Sequence, residues 1–379
     1  MRFHIPGYVH LPVSERYMGC AFTQKVVKLD KMLRSLGHTT ILYGAEGSDD
    51  LGSEFVQTHT LRDIRQTWGN GDNRYDLGYN WKGGQFRHDF SAERTPLTQR
   101  FYANCIAEIN KRKRPDDFLL VMQGYYHKPI ADAVKLWLTV EPGIGYRGSY
   151  CRFRAFESAY LQNFTYGSEH PRESINGNYY HCVIPNYFDL KDFAFCAEKQ
   201  DYFLYMGRMI IRKGVWTAIE ATRHIGAKLI LAGQKDPEIH VAKLPPHCTF
   251  VGYLEPEKRN YLMGHAKAVF VPTLYMEAFG GVNVEAQLCG TPAITTNFGC
   301  FPETVIQGVT GFRCNTLQDF VDACKNVEKL DPKAIREIAV SRYDVEVVKY
   351  DFDKYFRELY QLYLSAVEPN TKGWSLVKV

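Results

Sequence analysis

Between residues 203 and 295, short apolar runs alternate with helix-length segments, and no other feature narrows the possible folds as much. Strand-length runs at 203–206, 228–233, 249–251, 268–271 and 293–295 are interleaved with helical patterns at 214–224, 256–265 and 281–289. Parallel strands need long crossovers, and helices of this length supply them, so the segment predicts a helix-covered parallel sheet. The start of the chain repeats the theme. A strand over 2–5 and a helix over 21–36 carrying Val26, Val27, Leu29, Met32, Leu33 and Leu36 lead, past Gly37, to a strand over 40–44. This is a βαβ unit. A helix over 97–111, strands over 118–122 and 138–146 and a helix over 153–164 continue it. With 379 residues the chain is long enough for two cores. The expected fold class is α/β, with two Rossmann-like parallel-sheet domains. Residues 1–190 form the first domain and 198–342 the second, and a periodic, aromatic-rich helix and tail occupy 343–379.

Chemistry concentrates at two glycine turns of the second domain. The apolar run ending at Val271 is followed by Glu277, Ala278, Phe279, Gly280, Gly281 and Val282, and then by Glu285 about one turn into a helix. A helix that begins at a glycine pair presents unpaired N–H groups and the positive end of its dipole, which suit a phosphate. Two flanking carboxylates, each accepting two hydroxyl hydrogen bonds, suit the polyol ends of a nucleotide sugar. The same residues also fit a surface glutamate beside a plain helix start. The other turn ends the strand 203–206 in Gly207 and Arg208, with Lys213 and Gly214 before the next helix, and so sets two cations opposite a second helix N-terminus.

Together these fragments resemble the donor site of the group 1, retaining, GT-B-fold glycosyltransferases. The match extends to Gly252, Tyr253 and Leu254 and to the run Gly-Cys-Phe-Pro-Glu-Thr-Val at 299–305, and is strongest over residues 200–315. The resemblance implies that Arg208 and Lys213 contact the donor diphosphate, and that Glu277 and Glu285 contact sugar and ribose. Phe279, Gly280, Gly281, Val282 and Gly207 complete the donor cradle, and Gly252, Tyr253 and Leu254 lie where backbone groups read the base. It also implies a central cleft that both domains face, a terminal helix that crosses back to the first domain, and a strand at 181–189 closing that domain, although Tyr187 stands where the family usually has glycine. The donor substrate is then a nucleoside-diphosphate sugar, no metal or other cofactor is expected, and the acceptor is a glycan or glycoconjugate. A sugar phosphorylase, a nucleotide-sugar epimerase or a non-catalytic nucleotide- or glycan-binding module on the same fold are the alternatives.

The first domain is less specific. His127 follows the strand 118–122, and ligands of parallel sheets collect at strand carboxyl ends. Many relatives place a histidine there near the donor sugar, but a histidine that only hydrogen-bonds locally fits equally. Gly19 faces the cleft by resemblance, or simply permits a turn. Glu141 meets an acceptor hydroxyl or pairs with Arg147 or Arg152. Residues 60–100, rich in Gly, Trp, Arg and Tyr, read as an acceptor-side insertion. His38, His224 and His247 sit at helix ends or in loops, where solvation accounts for them. The cations Lys111, Arg112, Lys113 and Arg114 complement a helix C-terminus, and are the only support for a nucleic-acid acceptor. Asp351 and Asp353 imitate an Asp-x-Asp metal motif but fall on an amphipathic helix, which makes them surface acids.

Composition excludes several classes. Lys plus Arg exceeds Asp plus Glu by 46 − 42 = 4, too little to demand nucleic acid or an anionic membrane, although peripheral membrane contact stays open. Ten scattered cysteines without Cys-x-x-Cys argue against zinc and against a disulfide framework. With no signal-peptide pattern and no membrane-length apolar run, the expected location is the cytoplasm.

Overall fold

The computed structural model describes residues 1–17, 20–68, 95–169, 177–234 and 243–367. The first sheet has seven strands, β1 (Arg2–Pro6), β2 (Thr39–Ala45), β3 (Glu54–His59), β4 (Phe118–Leu120), β5 (Leu138–Ile144), β6 (Phe153–Phe156) and β7 (His181–Val183), in the order β3-β2-β1-β4-β5-β6-β7. The second has six, β8 (Phe203–Met206), β9 (Leu229–Ala232), β10 (Cys248–Gly252), β11 (Val269–Val271), β12 (Ala293–Thr296) and β13 (Gly311–Cys314), in the order β10-β9-β8-β11-β12-β13. The strand pairs within both sheets are parallel. In each sheet the order reverses beside the first strand, and that is where a crevice opens at the strand carboxyl ends.

Several elements differ from the sequence expectation, among them the unanticipated edge strand β13 and the helices Leu317–Asn326 and Pro332–Tyr343 that follow it. Residues 153–156 form β6 rather than the start of a helix, which begins only at Ala159 and runs to Glu169. Phe153, Arg154, Ala155 and Phe156 are all buried, because β6 lies between β5 and β7 and both its faces are covered. A strand buried on both faces shows no alternation. Edge strand β3 was not anticipated, and the helix Leu61–Trp68 follows it.

The chain crosses between the sheets twice, and the crossings are bonded side by side. Phe188 N–H donates to Tyr343 O at 2.9 Å and Val345 N–H to Phe188 O at 2.8 Å. The helix Val345–Val367 then returns to the first sheet, where Phe352, Phe356 and Leu359 join Phe3 and Phe118 in one core. The Phe356 ring lies edge-on to Phe3 at 4.9 Å and to Phe118 at 5.5 Å. Asp353 is a docking residue of this helix, 2.9 Å from His38 Nε2. His38 is thus buried and bonded rather than solvated, because the returning helix covers it.

Candidate active site

The second domain gathers its candidates around one cavity of about 90 Å³, lined by Gly207, Lys213, Thr273, Glu277, Gly280, Gly281 and Val282 among others. The local fold explains the gathering. Gly214 takes φ 72°, and a Cβ there would sit 1.9 Å from Pro272 O, so glycine lets the Lys213 turn press against the chain after β11. Gly280, at φ 72°, starts the helix Gly281–Leu288, and a Cβ there would meet Asn283 and Phe301 at 2.8 Å. At φ 65°, Gly299 lies so close to Glu277 that a Cβ would fall 2.8 Å from its nitrogen, and Cys300 N–H donates to Glu277 O at 3.0 Å. Three glycine positions therefore hold the lysine, the glutamate and the helix start in register.

Lys213 Nζ lies 2.7 Å from Glu277 Oε2 and 4.8 Å from the centre of the Tyr275 ring. Burial by itself lowers the pKa of this ammonium, but Glu277 and Tyr275 outweigh it, and the net shift is upward. Lys213 is therefore a fixed cation, as a diphosphate site needs. Arg208 follows Gly207 at the tip of β8, whose Tyr205 hydroxyl donates to Arg208 O at 2.9 Å. Phe279 turns its ring into the core against Phe188 and Tyr343 and does not line the cavity.

Glu285 forms a second focus. Arg259 Nη2 stands 3.6 Å from its Oε2, and the half-buried Lys28 of the first domain reaches it electrostatically. Burial lowers the Lys28 pKa, opposed first by Glu285. Tyr253, whose pKa burial raises, feels both Arg259 and Glu285, which brings the turn after β10 to the same focus. Gly252 there has φ 74° and accepts from Gly233 N–H at 2.8 Å. Lys28, Arg259 and Tyr275 escaped sequence reading. Tyr275 stands two residues before Glu277 and was the one most open to notice.

The first-domain candidates are not drawn into this arrangement. His127 is 1% exposed among aromatic rings that include Tyr8 and Phe101, and burial lowers its pKa to about 3, with the Gly7 backbone opposing slightly. Its Nδ1 accepts the Met122 N–H at 3.3 Å, so the proton sits on Nε2, which has no partner in hydrogen-bonding geometry. A neutral His127 offers a hydrogen bond but no positive charge. Glu141 pairs with neither Arg147 nor Arg152. It accepts the Tyr150 and Cys151 N–H groups at 2.7 and 3.0 Å and is fully buried, because it ties down the loop after β5. Gly19 and residues 69–94, most of the anticipated insertion, lie outside the described residues. The basic run is occupied structurally. Lys111 pairs with Glu108, Arg112 with Glu54 and Glu108, and Lys113 donates to Val134 O at 2.5 Å. None of the described helices is long and apolar enough to cross a membrane.

Residues 189–339 match the family model of the group 1 glycosyl transferases. The second domain belongs to that family. A curated relative, a glycogen synthase of Mycobacterium tuberculosis, is 32% identical over 201 residues, 48% of this chain and 48% of its own length. The chain thus spans about half the length of the curated relatives it matches. Among solved structures, sucrose-phosphate synthase from Thermosynechococcus elongatus aligns at TM-score 0.68 and 17% identity, over 96% of this chain and 100% of that one. Anabaena HepE in complex with UDP and glucose aligns at 0.63 and 14%, over 94% and 100%. At these identities the likeness establishes the fold, which is the two-domain GT-B arrangement, and it covers both halves of the molecule.

Proposed function

We propose that the protein is a retaining glycosyltransferase that moves a sugar from a nucleoside-diphosphate sugar to a hydroxyl of a glycan or glycoconjugate. The observation that carries this reading is the contact of Lys213 with Glu277 at the glycine-started helix Gly281–Leu288, one cavity offering a cation, a carboxylate and free helix N–H groups. In this reading the diphosphate lies against Lys213, Arg208 and the amides at Gly280 and Gly281. Glu277 orients the sugar hydroxyls and Glu285 the ribose. In the transfer step the bond from anomeric carbon to phosphate oxygen breaks and the bond to the acceptor oxygen forms on the same face. The acceptor proton passes to the departing diphosphate oxygen. Negative charge grows on the leaving group, and fixed cations placed beforehand stabilise it without needing a metal. Neutral His127 contributes at most a hydrogen bond from Nε2.

A thermal-shift panel of UDP-, GDP-, ADP- and dTDP-sugars, with and without EDTA, tests the reading. UDP-sugars come first because HepE was solved with UDP. Stabilisation by one nucleotide class, unchanged by EDTA and lost in Glu285→Ala, is the expected result. No stabilisation by any of them contradicts it, and stabilisation abolished by EDTA contradicts the metal-independent mechanism.

A further inference from the structure

The helix Ala159–Glu169 of the first domain does not satisfy its own N-terminus. An isolated helix leaves its first N–H groups without partners. Here Ser158 Oγ accepts the Leu161 N–H at 3.1 Å, but the Ala159 and Tyr160 N–H groups go to the two carboxylate oxygens of Glu303, at 2.8 and 2.7 Å, from the second domain. A carboxylate at a helix N-terminus is favoured by both hydrogen bonding and the dipole. The same corner makes a second contact across the cleft. Ser158 donates its hydroxyl proton to Ala278 O at 2.6 Å, and Ala278 packs against the first-domain cluster of Ile144, Phe156 and Leu161.

Ala278 is the residue after Glu277. One three-residue segment thus faces three ways: Glu277 to Lys213, Ala278 to the first domain, and Phe279 to the core of its own domain. Glu303 is anchored as well, because Arg342 Nη2 donates to its carbonyl at 2.7 Å, one residue before Tyr343 of the paired crossings.

We propose that Glu303 is a positioning residue acting across the cleft. By capping the first-domain helix it draws Ser158 onto the Ala278 carbonyl, and so sets the Glu277 backbone only when the two domains are together. Water can replace every bond of this clasp, so it breaks and remakes as the domains part and close. The catalytic part of this inference rests on the glycosyltransferase reading; the clasp itself does not. The diphosphate cradle lies wholly in the second domain, so breaking the clasp leaves nucleotide binding in place and removes the alignment needed for transfer.

The experiment compares wild type, Glu303→Ala, Glu303→Gln and Ser158→Ala by small-angle X-ray scattering without ligand, by calorimetric binding of the nucleoside diphosphate, and by steady-state transfer. Glu303→Ala is expected to enlarge the radius of gyration, keep the diphosphate Kd within about threefold and lower kcat by about tenfold or more. Glu303→Gln, with one acceptor oxygen, is expected to fall between, and Ser158→Ala to reproduce the kcat loss without touching the carboxylate. Unchanged scattering for Glu303→Ala overturns the clasp. Altered scattering with unchanged kcat and KM overturns the positioning role. If wild type binds no nucleotide, the glycosyltransferase reading fails, and with it the positioning role, while the ligand-free scattering still decides the clasp. A general loss of folding, which lowers melting temperature and diphosphate binding together, also counts against the proposal.

Discussion

The two faces of the cleft are built on opposite plans. The second-domain face holds charge partly open to solvent: Lys213 against Glu277 at the cavity, and Arg259 near Glu285 at the second focus, with side chains 15 to 26% exposed. The first domain instead buries a set of ionisable groups, some at the carboxyl ends of its strands and one, the half-buried His181, at the start of β7. His10, His59, His127 and His181 all have pKa values pushed down to about 3 or 4, chiefly by burial, and Glu141 is pushed up for the same reason. The first plan suits a ligand of fixed charge such as a diphosphate. The second suits a neutral polyol held by hydrogen bonds, and it ties the stability of that domain to pH.

The sharpest way to break this contrast is to remove a cation. Arg208→Ala is expected to lower kcat by about 100-fold or more while weakening donor binding by less than tenfold, because charge on the leaving oxygen peaks in the transition state. Steady-state kinetics beside calorimetric donor binding checks this, and an Arg208→Ala enzyme with wild-type turnover ends the assignment. Lys213→Ala acts on both function and fold. It leaves Glu277 partly buried without its partner, and should cost about 1–3 kcal/mol of stability in urea unfolding as well as activity. Lys213→Ala, Glu277→Ala and the double variant together measure the coupling. If the single losses simply add, the pair is not the unit described above.

Acid should separate the two domains. The four histidines stay neutral in the folded chain down to about pH 3 or 4, whereas in the unfolded chain they take up protons below about pH 6.5. Their contribution is intact above pH 6.5 and is lost as pH falls, by about 1.4 kcal/mol per pH unit for each histidine still neutral. Hydrogen exchange at pH 5 should therefore show β1 to β4 opening before β8 to β12, and the reverse order would contradict the comparison. The smallest effect belongs to the basic run. Lys111→Ala removes an exposed i,i+3 pair and should shift stability by less than about 0.5 kcal/mol, with no salt-dependent change in activity.

The same contrast governs what could be read in advance. Lys213, Glu277 and Gly280 were legible because their geometry is local: glycines where φ is positive, charges at fixed spacing and strand tips at the ends of apolar runs. The β6 residues 153–156 misled because both faces are buried, leaving no period to separate strand from helix. His38 read as a solvated helix end because its partner Asp353 lies 315 residues away. The Glu303 clasp was invisible for a further reason. Its partners are the backbone N–H groups of Ala159 and Tyr160, which carry no residue signature, so the pairing exists only once the fold joins two distant corners.

Amide hydrogen exchange with and without a saturating nucleoside diphosphate tests the central claim most directly, because it reports each face of the cleft separately. The account predicts slowed exchange at residues 207–214 and 277–285, with the loops after β4 and β5 unchanged. Protection confined to the first-domain loops, or none at 207–214 and 277–285 despite measured binding, would contradict it.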